Sequence, residues 1–247
     1  MTLQEFFQEN RKAAIAFSGG VDSAYLLYAA MQYSADVRAY YVKTQFQPAF
    51  ELADARRLAE QLCAPMTVLQ QDALASEQVA QNPADRCYYC KQGIFSGILQ
   101  AAAADGYTLI LDGTNASDDA GDRPGMRALR ELCVRSPLRE CGLTKSEIRA
   151  RSKKAGLFTW QKPAYACLAT RIPTGQRITG ELLAKIEQAE DFLFSLGFTD
   201  FRVRMLSGCA RLQVPEAQLG RVLQHREVIL SRLGALFGGV LLDLKAR

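Results

Sequence analysis

Residues Ser18-Gly-Gly-Val-Asp-Ser23 follow a short apolar run and precede an amphipathic one. Glycines at Gly19 and Gly20 let backbone N–H groups approach an anion closely. A helix opening near Val21 adds its positive dipole end and unpaired N–H groups. Ser18 and Ser23 can donate hydroxyls to phosphate oxygens, and Asp22 can hold the magnesium that travels with a nucleotide. The turn has no lysine, so it is not the Gly-x4-Gly-Lys-Ser/Thr loop of ordinary ATPases.

Thiols form the second group. Cys87-Tyr-Tyr-Cys90 is a single Cys-x2-Cys pair, which excludes a zinc ribbon built on two such pairs. A redox dithiol, half of a zinc site and part of an iron–sulfur site all fit it. Cys167 lies between Pro163 and Pro173, beside Arg171, whose cation favours a thiolate. Read blandly, Cys167 is a small buried hydrophobe. Cys63, Cys133, Cys141 and Cys209 stand in apolar or turn contexts and read as structural. His225, the only histidine, reads as a surface or packing residue, which argues against Ser-His-Asp catalysis and histidine metal sites.

Positioning these groups requires strands and helices in alternation. Apolar runs predict strands over 13–17, 37–42, 66–69 and 107–111, with helices over 21–32, 49–63 and 91–104. Such alternation implies an α/β fold with a Rossmann-type parallel sheet. These sheets bind ligands at the carboxyl ends of their strands, where Ser18, Thr44, Gly113 and Thr114 fall. Thr144-Lys-Ser-Glu147 is a capping box, which puts Lys145 in the first turn of a helix through Lys154, favourable for an anion.

From Thr179 the pattern changes. A helix over 181–196 precedes two alternating runs, 201–206 and 209–214, around Ser207-Gly208, a hairpin signal. This register sets Arg204 opposite Arg211 and Arg202 opposite Gln213, with the apolar residues on the other face. Like charges directly opposite cost stability. A bound phosphate would offset that cost, as would arginines splayed into water. Helices over 215–224 and 227–236 and a strand over 240–244 complete a small α+β domain. We therefore expect a division at 175, into 1–175 and 176–247.

The sequence has 247 residues, 49% hydrophobic and 23% charged, within reach of one large domain plus an appendage. Its 30 basic and 26 acidic residues give a net charge of +4 without a basic run, which permits anionic ligands and makes nucleic acid an unexpected partner. No apolar run is long enough to span a bilayer. The start is polar, and seven cysteines without a secretory segment predict the reducing cytoplasm.

The Ser18–Ser23 turn resembles that of the PP-loop ATP pyrophosphatases, which adenylate a substrate and release pyrophosphate. Residues 82–91, 112–118, 123–125, 136–138, 143–145 and 167–173 follow it in the order seen in the LarE family. This is a family of ATP-dependent sulfur transferases of nickel-pincer nucleotide synthesis, and the chain resembles it over essentially its whole length. The resemblance implies an adenine-nucleotide α-hydrolase-like domain, a small C-terminal domain and a trimer-based homo-oligomer. It implies adenylation of pyridinium-3,5-biscarboxylic acid mononucleotide by ATP and Mg2+, then sulfur insertion to give a thiocarboxylate.

Roles carry over to Ser18, Gly19, Gly20, Asp22 and Ser23 at ATP and magnesium, to Lys145 at the phosphates, and to Arg202 and Arg204 at the substrate phosphate, with Arg211 on the same hairpin face. Two sulfur sources occur in the family. One is a sacrificial cysteine matching Cys167; the other is a sulfide on a [4Fe–4S] cluster matching Cys87, Cys90 and Cys167. Having all three cysteines, the chain is expected to use the cluster. Thr170 stands where many members have serine. Many relatives also continue after Asp-Leu with Gly-Tyr-Arg, which bears on the substrate pocket and oligomer contacts. A tRNA thiolase of the 2-thiocytidine type shares the turn and a three-cysteine cluster. A nucleotide-binding regulator and an amidating ligase explain the turn but leave the cysteines without a role.

Overall fold

Small and β-branched residues between Lys12 and Ala16 leave a strand with nothing polar to expose, and the structure buries it at the centre of a parallel sheet. In this computed structural model, residues 1–33, 35–118 and 124–247 are described. In chain order the elements are α1 (Leu3–Glu9), β1 (Lys12–Ala16), α2 (Val21–Gln32), β2 (Asp36–Lys43), α3 (Ala49–Gln61), β3 (Met66–Gln70), α4 (Glu77–Ala80), α5 (Arg86–Ala104), β4 (Ile110–Leu111) and α6 (Pro124–Glu131). There follow α7 (Pro137–Glu140), α8 (Lys145–Lys154), α9 (Gly180–Ser195), β5 (Arg202–Leu206), β6 (Cys209–Gln213), α10 (Leu219–Gln224), α11 (Arg226–Gly234) and β7 (Val240–Leu242).

Two compact units divide the chain. The first is Met1–Ala73 with Asp85–Lys162; the second is Leu74–Ala84 with Pro163–Arg247. The break therefore falls before Pro163 rather than at 175. Residues 163–175 bond within the second unit, as Arg171 to Glu190 of α9 shows. Residues 74–84 belong there as well: Ile178 N donates to Ala80 O at 2.7 Å, and Asn82 Nδ2 to Pro173 O at 2.8 Å.

Among the described residues, the first unit's sheet is parallel in the order β3-β2-β1-β4, the expected Rossmann-type arrangement. Alternate strand residues serve opposite faces. Ala13, Ile15, Ala39 and Tyr41 join the core under α1, α2 and α8, while Ala14, Tyr40 and Val42 meet Phe95 and Ile98 of α5. The strand expected over 107–111 is only Ile110–Leu111. The helix expected from Lys91 starts at Arg86, so Cys87 and Cys90 are helical residues. In the second unit β5 and β6 pair in the expected register, Arg204 with Arg211 and Arg202 with Gln213, and β7 adds in parallel to β6. Phe201, Val203, Met205, Ala210, Leu212 and Val214 are all buried. No helix among the described residues is long and apolar enough to cross a membrane.

Candidate functional site

At the carboxyl end of β1 the chain turns through Gly19, whose φ of +72° favours glycine. Gly20 then caps α2. Ser23 Oγ accepts from Ser18 N at 3.2 Å and lies 3.1 Å from Ser18 Oγ, while Gly20 N donates to Ser18 Oγ at 3.3 Å. These long contacts close the turn on itself and leave donors that an anion can take over. Gly113, at the end of β4, is pressed against the turn: a Cβ there would lie 2.8 Å from Ser23 N.

The turn forms one wall of a cavity of about 330 Å3 that Gly113 and Thr114 also line. Tyr40, Val42, Ile94, Phe95 and Ile98 give an apolar wall, suited to a flat base. Thr44 does not line it. It is buried and bonds Gln47 Oε1 through N and Oγ1 at 2.9 and 2.8 Å, and Gln47 faces the cavity.

Asp22 Oδ2 accepts from Lys145 Nζ at 2.5 Å, and Asp22 Oδ1 is buried without a hydrogen-bond partner among the described residues. Burial pushes the Asp22 carboxyl above its usual range, against the pull of Lys145. Lys145 is delivered as the capping box implies, with Thr144 and Glu147 bonding each other's backbone N–H. An orphaned carboxylate oxygen beside a phosphate turn suits a hard cation with oxygen ligands.

Sequence reasoning missed Gln47, Glu51, Lys91, Asp112 and Asp118 on this cavity. Asp112 had a signal, ending a strand before Gly113. It is buried and accepts from Ser136 Oγ at 2.6 Å, which fixes the β4 end. Glu51 had none; Lys162 Nζ holds it at 3.0 Å, and burial pushes its carboxyl up.

Cys87 and Cys90 stand in the first turns of α5, Cys87 exposed and Cys90 half-buried. In the second unit, half-buried Cys167 precedes a 3-10 turn over Leu168–Arg171. None of the seven cysteines forms a disulfide, and Cys63 and Cys133 are exposed rather than packed. Among the described residues, no group of three or more histidine, cysteine, aspartate or glutamate side chains is placed to hold a metal ion.

Arg171 is not spare beside the thiol. It is 1% exposed and paired with Glu190. The arginine face is also engaged within the protein. Arg202 is buried and donates to Ala164 O and Phe201 O at 2.5 and 2.6 Å. Burial, and then Arg171, push its guanidinium down to about 10. Arg204 donates to Gln213 Oε1 at 2.5 Å and Thr170 O at 2.7 Å. Arg211 stands 3.6 Å from Asp243, which offsets the like-charge pairing with Arg204. His225 lies between α10 and α11 with its ring near Phe198. Arg123 lies outside the described residues.

The asparagine synthase family matches residues 5–120. A pyridinium-3,5-bisthiocarboxylic acid mononucleotide synthase of Lactiplantibacillus plantarum is 33% identical over 246 residues, 98% of this chain and 89% of that protein. An uncharacterized protein of Synechocystis sp. is 36% identical over 225 residues, 90% of this chain and 83% of its own. An uncharacterized protein of Methanocaldococcus jannaschii is 30% identical over 230 residues, 93% and 87% respectively.

Proposed function

The chain belongs to the LarE family, that of the Lactiplantibacillus plantarum synthase, and on that premise we propose that it is an ATP-dependent sulfur transferase acting on pyridinium-3,5-biscarboxylic acid mononucleotide. The observation that carries this reading is Asp22, with one oxygen on Lys145 and the other unpartnered, on the cavity that the Ser18–Ser23 turn lines. In this reading the apolar wall takes the adenine. The triphosphate lies on the turn and the N-terminus of α2, where N–H groups and the helix dipole stabilise its charge. Asp22 would hold Mg2+ through its unpartnered oxygen, and magnesium, when bound, would neutralise charge on the phosphates. Lys145 stabilises charge building on the leaving pyrophosphate.

A substrate carboxylate oxygen attacks the α-phosphorus and the bond to the β-phosphate oxygen breaks, giving an acyl adenylate and pyrophosphate. Adenylation converts a poor leaving oxygen into AMP. Sulfur then adds to the acyl carbon, AMP departs and a thiocarboxylate remains. Arg202, Arg204 and Arg211 are the groups we assign to the substrate phosphate.

Cys87, Cys90 and Cys167 would hold a [4Fe–4S] cluster, because three thiolates leave one iron without a protein ligand. When bound, such a cluster would supply the sulfide for the transfer. On the same reading the enzyme works in the cytoplasm as a homo-oligomer.

The test is anaerobic incubation with ATP, Mg2+, sulfide and the dicarboxylate nucleotide, followed by mass spectrometry of product and protein. Thiocarboxylate formed with one pyrophosphate per activated carboxylate is expected. Pyrophosphate release indifferent to the nucleotide would refute the substrate. A reconstituted protein without iron that loses the mass of hydrogen sulfide from Cys167 would refute the cluster and make that cysteine the sulfur source.

A further inference from the structure

Glu190 is a buried carboxylate to which neither the sequence nor the reaction above gives a task. It sits on α9 and is 1% exposed. Its Oε1 accepts from Arg171 Nε at 2.8 Å and from Val203 N of β5 at 2.9 Å. Its Oε2 accepts from Arg171 Nη2 at 3.0 Å and from Tyr165 Oη. One side chain thus ties together the helix, the hairpin and residues on both sides of Cys167.

Arg171 passes this constraint on. Its Nη1 donates to Ala166 O at 3.0 Å and to Thr170 Oγ1 at 2.9 Å. Having accepted from Arg171, Thr170 Oγ1 has its proton free to donate, and it does so to the Cys167 carbonyl at 2.8 Å. The donors and acceptors alternate without conflict from the Glu190 carboxylate to the backbone of Cys167 itself. Arg202 on Ala164 O and Arg204 on Thr170 O hold the same loop from the hairpin.

A buried ion pair is a poor route to stability, because desolvation consumes most of its attraction and apolar side chains of similar volume pack as well. Fixing one conformation of a loop is a use that apolar residues cannot serve, since they offer carbonyls no donor. We propose that Glu190, Arg171 and Thr170 form a positioning relay that holds the Cys167 loop in the geometry from which sulfur is transferred. The proposal rests on Cys167 having the role assigned above. It also explains how threonine replaces serine at position 170: both carry the hydroxyl that the relay needs.

Glu190→Gln is the obvious variant, but it leaves Arg171 buried without a counter-charge and can unfold the chain. Thr170→Val removes only the hydroxyl, because Ala166 O still accepts from Arg171 and Thr170 N still reaches the Cys167 carbonyl at 3.0 Å. The experiment uses the full chain freed of iron by chelation. Iodoacetamide modification of Cys167 is timed by peptide mass spectrometry, with exposed Cys63 and Cys133 as internal references. Thr170→Val is expected to raise the Cys167 rate threefold or more against both references, and Thr170→Ser to restore it. In turnover, the ratio of thiocarboxylate formed to pyrophosphate released should fall about tenfold in Thr170→Val and recover in Thr170→Ser. An unchanged Cys167 rate, an equal rise at all three cysteines, or no recovery with serine would overturn the relay. A wild-type protein that forms no thiocarboxylate refutes the transferase reading instead, and the modification rates still decide the relay.

Discussion

Gly113→Ala probes how tightly the nucleotide turn is built. The added Cβ would lie 2.8 Å from Ser23 N, 3.1 Å from Ser23 Cα and 3.3 Å from Asp22 C. All three are backbone atoms of α2's first turn, so no side chain can swing away. Restoring ordinary contact moves that turn by about 0.5 Å, and overpacking of this kind costs about 1–3 kcal/mol. In a chain of this size each kcal/mol lowers Tm by about 2–4 °C. The moved atoms belong to the phosphate cradle. If a misplacement of 1 Å costs about 100-fold, half of that costs about tenfold in kcat/KM for ATP. Gly180→Ala is the control. At the first residue of α9 an added Cβ meets nothing within 4 Å, and a gain of about 0.4–1 kcal/mol is expected. Scanning calorimetry and pyrophosphate release measure both variants. Wild-type Tm and wild-type kcat/KM for ATP in Gly113→Ala would refute the argument that β4 and the turn are packed to contact.

Three further outcomes follow from the charges. Burial raises the Asp22 carboxyl above its ordinary 3.8, and Lys145 opposes that shift. The folded chain therefore holds this proton more tightly than the unfolded one, and stability falls as pH rises through the window just above 3.8. Lys145→Met extends that window upward. If, as proposed, the charged carboxylate is the form that binds magnesium, the acid limb of the pyrophosphate-release profile should move to higher pH; a limb that stays in place would sink this reading of Asp22. Arg204→Ala should raise KM for the phosphorylated substrate about tenfold or more, the size of a lost charge-assisted hydrogen bond, and leave KM for a dephosphorylated analogue unaffected, while the lost bond to Thr170 O lowers kcat for both; equal effects on the two KM values would remove Arg204 from the phosphate site. His225→Ala should change stability by less than about 0.5 kcal/mol, and leave the pH profile unaltered.

The sheet was legible because its information is local. Apolar runs of four to six residues between helical stretches marked β1, β2 and β3 to within two residues. The hairpin register followed from period two and a two-residue turn. α1 went unread although Thr2 and Glu5 form a capping box, because seven residues give periodicity little to work on. The start of α5 was hidden by its own chemistry. A cysteine pair suggests a metal loop, yet Asp85 before it is the N-cap of a helix that opens at Arg86, without the side-chain capping bond that would have announced it. Pairing across the chain was out of reach. Glu190 looks like one more polar residue of an amphipathic helix, and only the fold shows that Arg171 makes it a core residue.

The same distinction separates the two kinds of site. At the nucleotide turn the polar groups are under-used: Asp22 Oδ1 has no partner among the described residues, and the contacts between Ser18 and Ser23 are long. Groups in that state cost free energy until a ligand completes them, so binding energy is gained when an anion and its cation arrive. Around Cys167 the balance is reversed. Glu190 accepts four hydrogen bonds, Thr170 Oγ1 both accepts and donates, and three arginines hold main-chain carbonyls. That loop is held by the protein's own groups, which, in the proposed reaction, would lower the entropy lost when sulfur meets the acyl carbon. If Arg204 also takes a phosphate, one guanidinium joins that phosphate to the Thr170 carbonyl, so the arginine face and the Cys167 loop would be linked through it.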